Sequence, residues 1–176
     1  MAKTNWVIDP MHSEIHFKVK HMMVSTVTGA FEEFEGTAEA EDHDFANGSF
    51  TFKAKTDSIN TRVADRDAHL KSDDFFNAEQ YPEISFASTS FVKDGDDYKL
   101  TGNLTIRDIT KEVTLSVEHD GVAVDPYGQT KAGFELTGTI NRKEFGLKWG
   151  AVTEAGNVVV SDNVKLVLNI QLTKQG

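Results

Sequence analysis

The chain has 176 residues, of which 39% are hydrophobic and 26% charged, values of a folded globular domain rather than a disordered tail. A net charge of −10 argues against a nucleic-acid partner, which needs a basic surface, and against anchoring on an anionic membrane. The absence of cysteine excludes disulfides, thiolate catalysis and Cys-ligated zinc.

The opening residues, MAKTNWVIDP, read as strand and lack the apolar core of a secretion signal. A cytoplasmic location is expected on this basis, and a periplasmic one if a signal has been lost. From Glu14 the pattern alternates: Ile15, Phe17 and Val19 share one face, and His16, Lys18 and Lys20 the other, the period of a half-buried strand. Residues His21 to Gly29 break the alternation and read as a short turn or helical corner. Phe31, Phe34 and Gly36 begin a second strand region, and Asn47-Gly48 after an acidic cluster reads as a hairpin turn. Phe50, Phe52 and Ala54 then share a face.

Arg62 to Pro82 is the one stretch that reads as helix; Ala64, Ala68 and Leu70 are compatible with a short helix, and Pro82 stops any helix. Asp65, Arg66, Asp67, His69, Lys71, Asp73 and Asp74 crowd there, followed by Phe75 and Phe76. Beyond it come alternating runs over Ile84–Ser88, Tyr98–Ile106, Val113–Val117, Ala132–Ile140 and Val164–Leu172, separated by turn clusters that include His119-Asp120-Gly121. About eight or more strands with hairpin turns indicate an antiparallel barrel or sandwich. No linker, repeat or low-complexity segment divides the chain, so a single domain over 1–176 is expected. No apolar run is long enough for a membrane span, and no stable membrane insertion is expected.

An eight-stranded barrel is wide enough either to be filled by side chains or to hold one small ligand. Small residues on the inward faces favour the hollow form: Gly102 between Leu100 and Leu104, Gly138 between Leu136 and Ile140, Ser88 after Phe86, Ala54 after Phe52. The same glycines are equally consistent with bulges or bends. Phenylalanine accounts for twelve of the aromatic residues, against three tyrosines and two tryptophans; it offers apolar contact without a polar atom to satisfy, which suits a lipid tail and also an ordinary core.

The chemistry-bearing residues support no catalytic reading. Six histidines are present, His12, His16, His21, His43, His69 and His119, but no HExxH or HxH spacing accompanies them, and no metal is expected. Ser13 beside His12 lacks a GxSxG elbow, and no glycine-rich phosphate loop occurs. The paired aspartates read as structural: Asp73 and Asp74 as helix caps, Asp65 and Asp67 as partners of Arg62 or Arg66. Arg66 and Arg142 are open to two readings, a fork of donors for a phosphate or carbonyl head group, or a structural ion pair.

Spaced motifs along nearly the whole chain resemble the YceI family, lipocalin-like polyisoprenoid-binding proteins of bacteria. They run from Trp6-Val7-Ile8-Asp9-Pro10, His12-Ser13 and Ile15-His16-Phe17, through Lys20-His21-Met22 and Gly29-Ala30-Phe31, to Arg66-Asp67-Ala68-His69-Leu70-Lys71-Ser72. Asp74-Phe75-Phe76, Tyr81-Pro82-Glu83-Ile84-Ser85-Phe86, Leu100-Thr101-Gly102-Asn103-Leu104-Thr105-Ile106, Ile109-Thr110-Lys111 and Asn141-Arg142-Lys143-Glu144-Phe145-Gly146-Leu147 complete the series. The resemblance implies an all-β, eight-stranded antiparallel lipocalin-like barrel with a short helix covering one end. It further implies an apolar tunnel for a long isoprenoid or similar amphiphile, a homodimer, and no established catalytic activity.

The expected function is therefore non-enzymatic binding, transport or storage of a polyisoprenoid or fatty-acyl-type lipid, without other cofactors. The tail is expected against Phe17, Phe31, Phe52, Phe75, Phe76, Phe86, Phe134 and Phe145. His21, Arg66, His69 and Arg142 are expected at the head group. The alternative is a small cavity enzyme, a hydrolase or isomerase, which requires a histidine beside a carboxylate or metal at the tunnel wall.

Overall fold

The structure is a computed structural model that describes residues 3–41, 44–150 and 159–175. Eleven strands follow one another: β1 (Thr4–Ile8), β2 (Glu14–His21), β3 (Ser25–Phe31), β4 (Phe34–Glu41), β5 (Asp44–Lys55), β6 (Ile59–Asn60), β7 (Glu83–Asp94), β8 (Asp97–Ile106), β9 (Ile109–Val124), β10 (Thr130–Asn141) and β11 (Val160–Lys174). A single α-helix, α1 (Ala64–Lys71), lies between β6 and β7. All pairings are antiparallel, and the ring β1-β4-β5-β7-β8-β9-β10-β11 closes by pairing β11 back to β1. The barrel is thus closed and eight-stranded, as the family resemblance implies; of the barrel and the sandwich that the alternation left open, it is the barrel.

Three of its staves are broken. Strand β11 pairs with β1 through Leu172–Lys174 and with β2 through Val160–Asn169, so β1 and β2 are successive halves of one stave. The break is a 3-10 turn over Pro10–His12, with Pro10 at its first position and the Asp9 carboxylate accepting from the Met11 N–H. Gln171 of β11 faces this break, and its backbone groups remain satisfied: its N–H donates to Ser13 Oγ at 2.9 Å and its carbonyl accepts from the Asp9 N–H at 2.8 Å. The β3–β4 and β5–β6 staves break in the same way. There the Lys55 N–H donates to the Glu33 carbonyl and the Glu32 N–H to that of Ser58.

Several local expectations give way to these pairings. Of the two readings of the segment after His21 the short turn holds, a tight hairpin turn over Met22–Val24, but Ser25 to Gly29 already belong to β3. Asn47-Gly48 lies inside β5, where the register with β4 shifts, and β4 and β5 are already paired at Glu41 and Asp44. His119-Asp120-Gly121 lies inside β9 at a bulge opposite Gly133-Phe134. The signal in each case is a residue tolerant of unusual backbone, which a bulge needs as much as a turn does.

The core divides into two clusters. Trp6, Phe45, Phe91 and Phe134 pack with Ala38, Leu100, Val117 and Leu172 at one end of the barrel. Phe31, Phe75, Ile84, Ile106, Ile140 and Phe145 pack at the other, beneath the helix and its following turn. Phe34, Phe52, Phe86, Leu166, Leu168 and Ile170 touch both clusters but are only partly buried. Inward-facing side chains of a closed barrel lack full cover only if the space between them is unfilled.

Candidate functional site: a blind apolar cavity

That space is a cavity of about 380 Å³ running between the two clusters. Phe17 of β2, Phe31 of β3, Phe52 of β5, Phe86 of β7 and Phe134 of β10 all line it. The rings sit in register with other apolar side chains: Phe52 lies opposite Phe86, Phe86 opposite Leu104, and Phe17 opposite Leu166. The aliphatic row Val164, Leu166, Leu168 and Ile170 of β11 completes the wall. This row was legible as a strand, but its ordinary alternation carries no mark that separates a cavity wall from a filled core. Phe145 is the exception among the aromatic candidates: it is buried beside the cavity, in the core, and does not reach the wall.

The hollow does not come from the inward glycines. A Cβ on Gly102 would meet the Phe86 ring at 2.5 Å, one on Gly138 would meet Leu115 Cδ2 at 2.3 Å, and one on Gly29 would meet Phe17 Cζ at 2.2 Å. Each glycine is covered by a large side chain of the neighbouring strand, so its missing volume is already taken. The Ser88 hydroxyl is likewise occupied, accepting from the Phe50 N–H at 2.8 Å.

One end of the cavity is shut. Phe91 and Phe134 form its floor, and behind them Phe45 packs edge-on to Phe134 (5.0 Å between centroids) and tilted against Trp6 (5.1 Å). His119 stacks on Phe134 at 4.5 Å, and its buried Nε2 has no partner among the described residues. Burial lowers the His119 pKa below 6.5, opposed by a hydrogen bond to the Gly121 backbone and by the Asp120 charge, so a neutral ring sits in the plug.

The other end carries the helix and most of the polar groups. Ser72 stops α1, its N–H and hydroxyl both donating to the His69 carbonyl, and residues 73–81 continue as turns, so the helix is much shorter than Arg62 to Pro82. Phe75 and Phe76 point from these turns into the cavity. Arg107 in the β8–β9 turn holds the segment down: it donates to the Asp73 and Phe75 carbonyls, and its guanidinium meets the Asp73 carboxylate at 2.9 Å. Asp73 and Asp74 therefore follow the helix rather than cap its start. Asp67 accepts from the Thr61 N–H and hydroxyl instead of pairing with an arginine.

The four polar candidates, His21, Arg66, His69 and Arg142, all reach the wall at this end, but they differ in what remains free. Arg142 is 3% exposed. Its Nη1 donates to the carbonyls of Leu147 (2.7 Å) and Trp149 (2.6 Å), its Nε to Ser161 (2.9 Å) and its Nη2 to Val160 (3.3 Å). Burial pulls its pKa below the usual value, partly offset by the Asp162 charge. Its fork of donors is thus spent on fastening the segment after β10 to the start of β11. Arg66 is anchored only through Thr61: Nε donates to Oγ1 at 2.8 Å and Nη2 to the carbonyl at 2.7 Å. Its Nη1 has no partner among the described residues. His69 contacts Asp74 through Nε2 at 2.8 Å, with its ring edge-on to Phe75 and Trp149. Trp149 and Leu70, not among the expected contacts, also line this end. Trp149 lies in a segment with no periodicity to aim it.

Among the described residues, the acidic groups close enough to share an ion lie elsewhere. Glu118, Asp120 and Glu135 bring ligand atoms within 4.8 Å of one another on the exposed outer face of β9 and β10. Asp120 repels the Glu135 charge and raises its pKa. Of the histidines, His12 meets Asp9 at 2.8 Å and His16 lies 3.7 Å from Glu14; His43 lies outside the described residues.

Residues 6–172 match the YceI-like domain family. The chain belongs to the YceI family. A UPF0312 protein of Staphylococcus aureus strain USA300 is 39% identical to this YceI chain over 163 residues, covering 92% of it and 93% of the relative. A Campylobacter jejuni YceI protein of known structure superposes with a TM-score of 0.74 at 32% identity, over 90% and 91% of the two chains. The same fold, at 13% identity and a TM-score of 0.72 over 97% and 98% of the chains, occurs in a polyisoprenoid binding domain from Saccharophagus degradans implicated in plant cell wall breakdown.

Proposed function

We propose that this YceI protein is a non-enzymatic carrier or store for an amphiphile with a long apolar tail, of the isoprenoid or fatty-acyl class. The observation that carries the reading is the cavity: apolar along its length, closed by aromatic rings at one end and polar at the other. A tail buried there is stabilised by about 25 cal/mol per Å² of apolar surface removed from water. A head group left at the mouth would meet Arg66, whose Nη1 has no partner among the described residues, and His69 and His21, which line the same end. The fold shared with a polyisoprenoid binding domain supports the tail class. The homodimer implied by the family resemblance belongs to the same proposal, and sedimentation velocity tests it. The carrier reading is tested by organic extraction of the purified protein and mass spectrometry, and the absence of any stoichiometric lipid would sink it.

One observation favours a second reading, a cavity enzyme. His69 and Asp74 form the histidine–carboxylate pair at the wall that such an enzyme requires. Against it, the hydroxyls on the described wall belong to Thr37, Thr51 and Thr61. Thr37 and Thr51 are exposed and bonded to each other, and Thr61 is held by Arg66 and Asp67, so no free hydroxyl nucleophile stands beside the pair among the described residues. Turnover of a long-chain ester, abolished by His69→Ala, would decide for the enzyme.

A further inference from the structure

The turn between β2 and β3 breaks a local rule. His21 to Val24 form a tight turn closed by the Val24 N–H donating to the His21 carbonyl at 3.2 Å, with Met22 at φ +51° and Met23 at φ +58°. Two successive left-handed residues define the type I′ hairpin turn, which strongly favours Asn-Gly because bulky side chains are strained there. Packing does not compensate the methionines for that strain: Met22, Met23 and Val24 are 37%, 64% and 80% exposed. A sequence that accepts backbone strain in order to display apolar side chains points to a use for them outside the fold.

The surroundings indicate what they meet. Between Glu14 and Glu32 there is no acidic residue, although the chain holds 28. Outward from the hairpin stand Lys18 and Lys20, and across the sheet Lys165 of β11 lies directly opposite Lys18. Asp162, the acid nearest the tip on β11, is neutralised by Lys143 at 3.1 Å. A protein of net charge −10 thus presents one basic stalk ending in an apolar tip. Such a pairing fits an anionic bilayer surface, where apolar side chains enter the interface and lysines meet the lipid phosphates. The tip also stands at the cavity mouth, since His21 and Lys20 at its root both line the cavity.

We infer that the Met22-Met23-Val24 turn is a reversible docking element for an anionic lipid surface, seating the cavity mouth where lipids enter and leave. The inference rests on the carrier reading for its purpose, but not for its test. Lys20 is left untouched in that test because it lines the cavity.

The experiment is flotation with phosphatidylcholine vesicles containing about 30% phosphatidylglycerol, using the full chain, the double variant Met22→Asn/Met23→Gly, and the double variant Lys18→Gln/Lys165→Gln. The first variant installs the residues that a type I′ turn prefers, so the hairpin is kept while its tip is lost. Wild type is expected to float, the tip variant to bind roughly ten-fold less, and the lysine variant to bind more weakly and to lose the preference for anionic over pure phosphatidylcholine vesicles. Failure of wild type to float, or equal flotation of the tip variant, overturns the proposal. So does a tip variant that dissociates a dimer while still floating, because the tip is then a contact between copies of the chain. Extraction of lipid from the same preparations separates the two readings: lipid without flotation removes the docking element, and flotation without lipid removes the carrier.

Discussion

Arg142 offers the sharpest test of how the mouth is built. In Arg142→Met the apolar stem survives and the guanidinium is lost. Four carbonyls then lose a charged donor, those of Leu147, Trp149, Ser161 and Val160. The carbonyls of Leu147 and Trp149 make the shortest bonds, and the bond to Leu147 is buried; leaving them unsatisfied costs about 1–3 kcal/mol each. The bonds to Ser161 and Val160 are longer and contribute less. Against this stands the relief of no longer burying a cation, which reduces the sum. The net loss is about 3–5 kcal/mol, or a fall in Tm of roughly 6–20 °C for a chain of this length. Urea unfolding monitored by circular dichroism reads the loss directly, as a lower midpoint with an unchanged slope. Arg142→Lys should recover only a small part, because an ammonium cannot span four acceptors arranged for a planar fork. A loss below about 1 kcal/mol, accompanied by loss of bound lipid, would refute the reasoning and return Arg142 to the ligand.

Other consequences are independent of it. Met22→Asn/Met23→Gly should raise stability by about 1–2 kcal/mol, by relieving two left-handed methionines, seen as a higher urea midpoint. The Asp9 carboxylate meets Lys131 at 3.0 Å and His12 at 2.8 Å. Burial raises its pKa, but hydrogen bonds from His12, Lys131 and the Met11 N–H outweigh that and hold it below 3.8. Its contribution, on the order of 1 kcal/mol, is therefore fully present above pH 3.8 and lost as pH falls through the folded value; Asp9→Asn should flatten that acid limb in a pH series of unfolding midpoints. His119 has the opposite charge type: its folded pKa lies below 6.5, so the unfolded chain takes up the proton first and stability declines as pH drops beneath 6.5. His119→Phe should remove this decline, and a midpoint that still falls between pH 6.5 and 5 would count against a buried neutral ring. Leu168→Trp, on the cavity wall, should leave a folded barrel that retains much less lipid after extraction.

The strands were legible because period-two alternation is a direct print of a sheet with one wet face. Their ends were not, since Asn47-Gly48 and His119-Asp120-Gly121 mark tolerated backbone geometry, and only pairing with β4 and β10 makes them bulges. The cavity was legible for a reason that the structure corrects. Gly102 and Gly138 are roofed by Phe86 and Leu115, and the hollow comes from the girth of eight staves that the inward side chains do not span. The two arginines could not be told apart in sequence. The donors of Arg142 are spent on the carbonyls of Leu147 and Trp149 close by in sequence and on those of Val160 and Ser161 brought in by β11, the latter a contact no local pattern announces. Arg66 differs only because its neighbour Thr61 takes two donors and leaves the rest.

The rings behind Phe91 and Phe134 turn the barrel into a depth gauge. A chain that enters tail first meets a fixed stop, and its other end must then lie at a set height relative to Arg66 and His69. Too short a tail leaves its head group below those side chains or an empty space above the stop; too long a tail holds the head group out in solvent. On the carrier reading, the selected length is set at the end opposite Arg66 and His69. A single exchange there, such as Phe91→Leu, should shift the size of the retained lipids without touching a residue at the mouth.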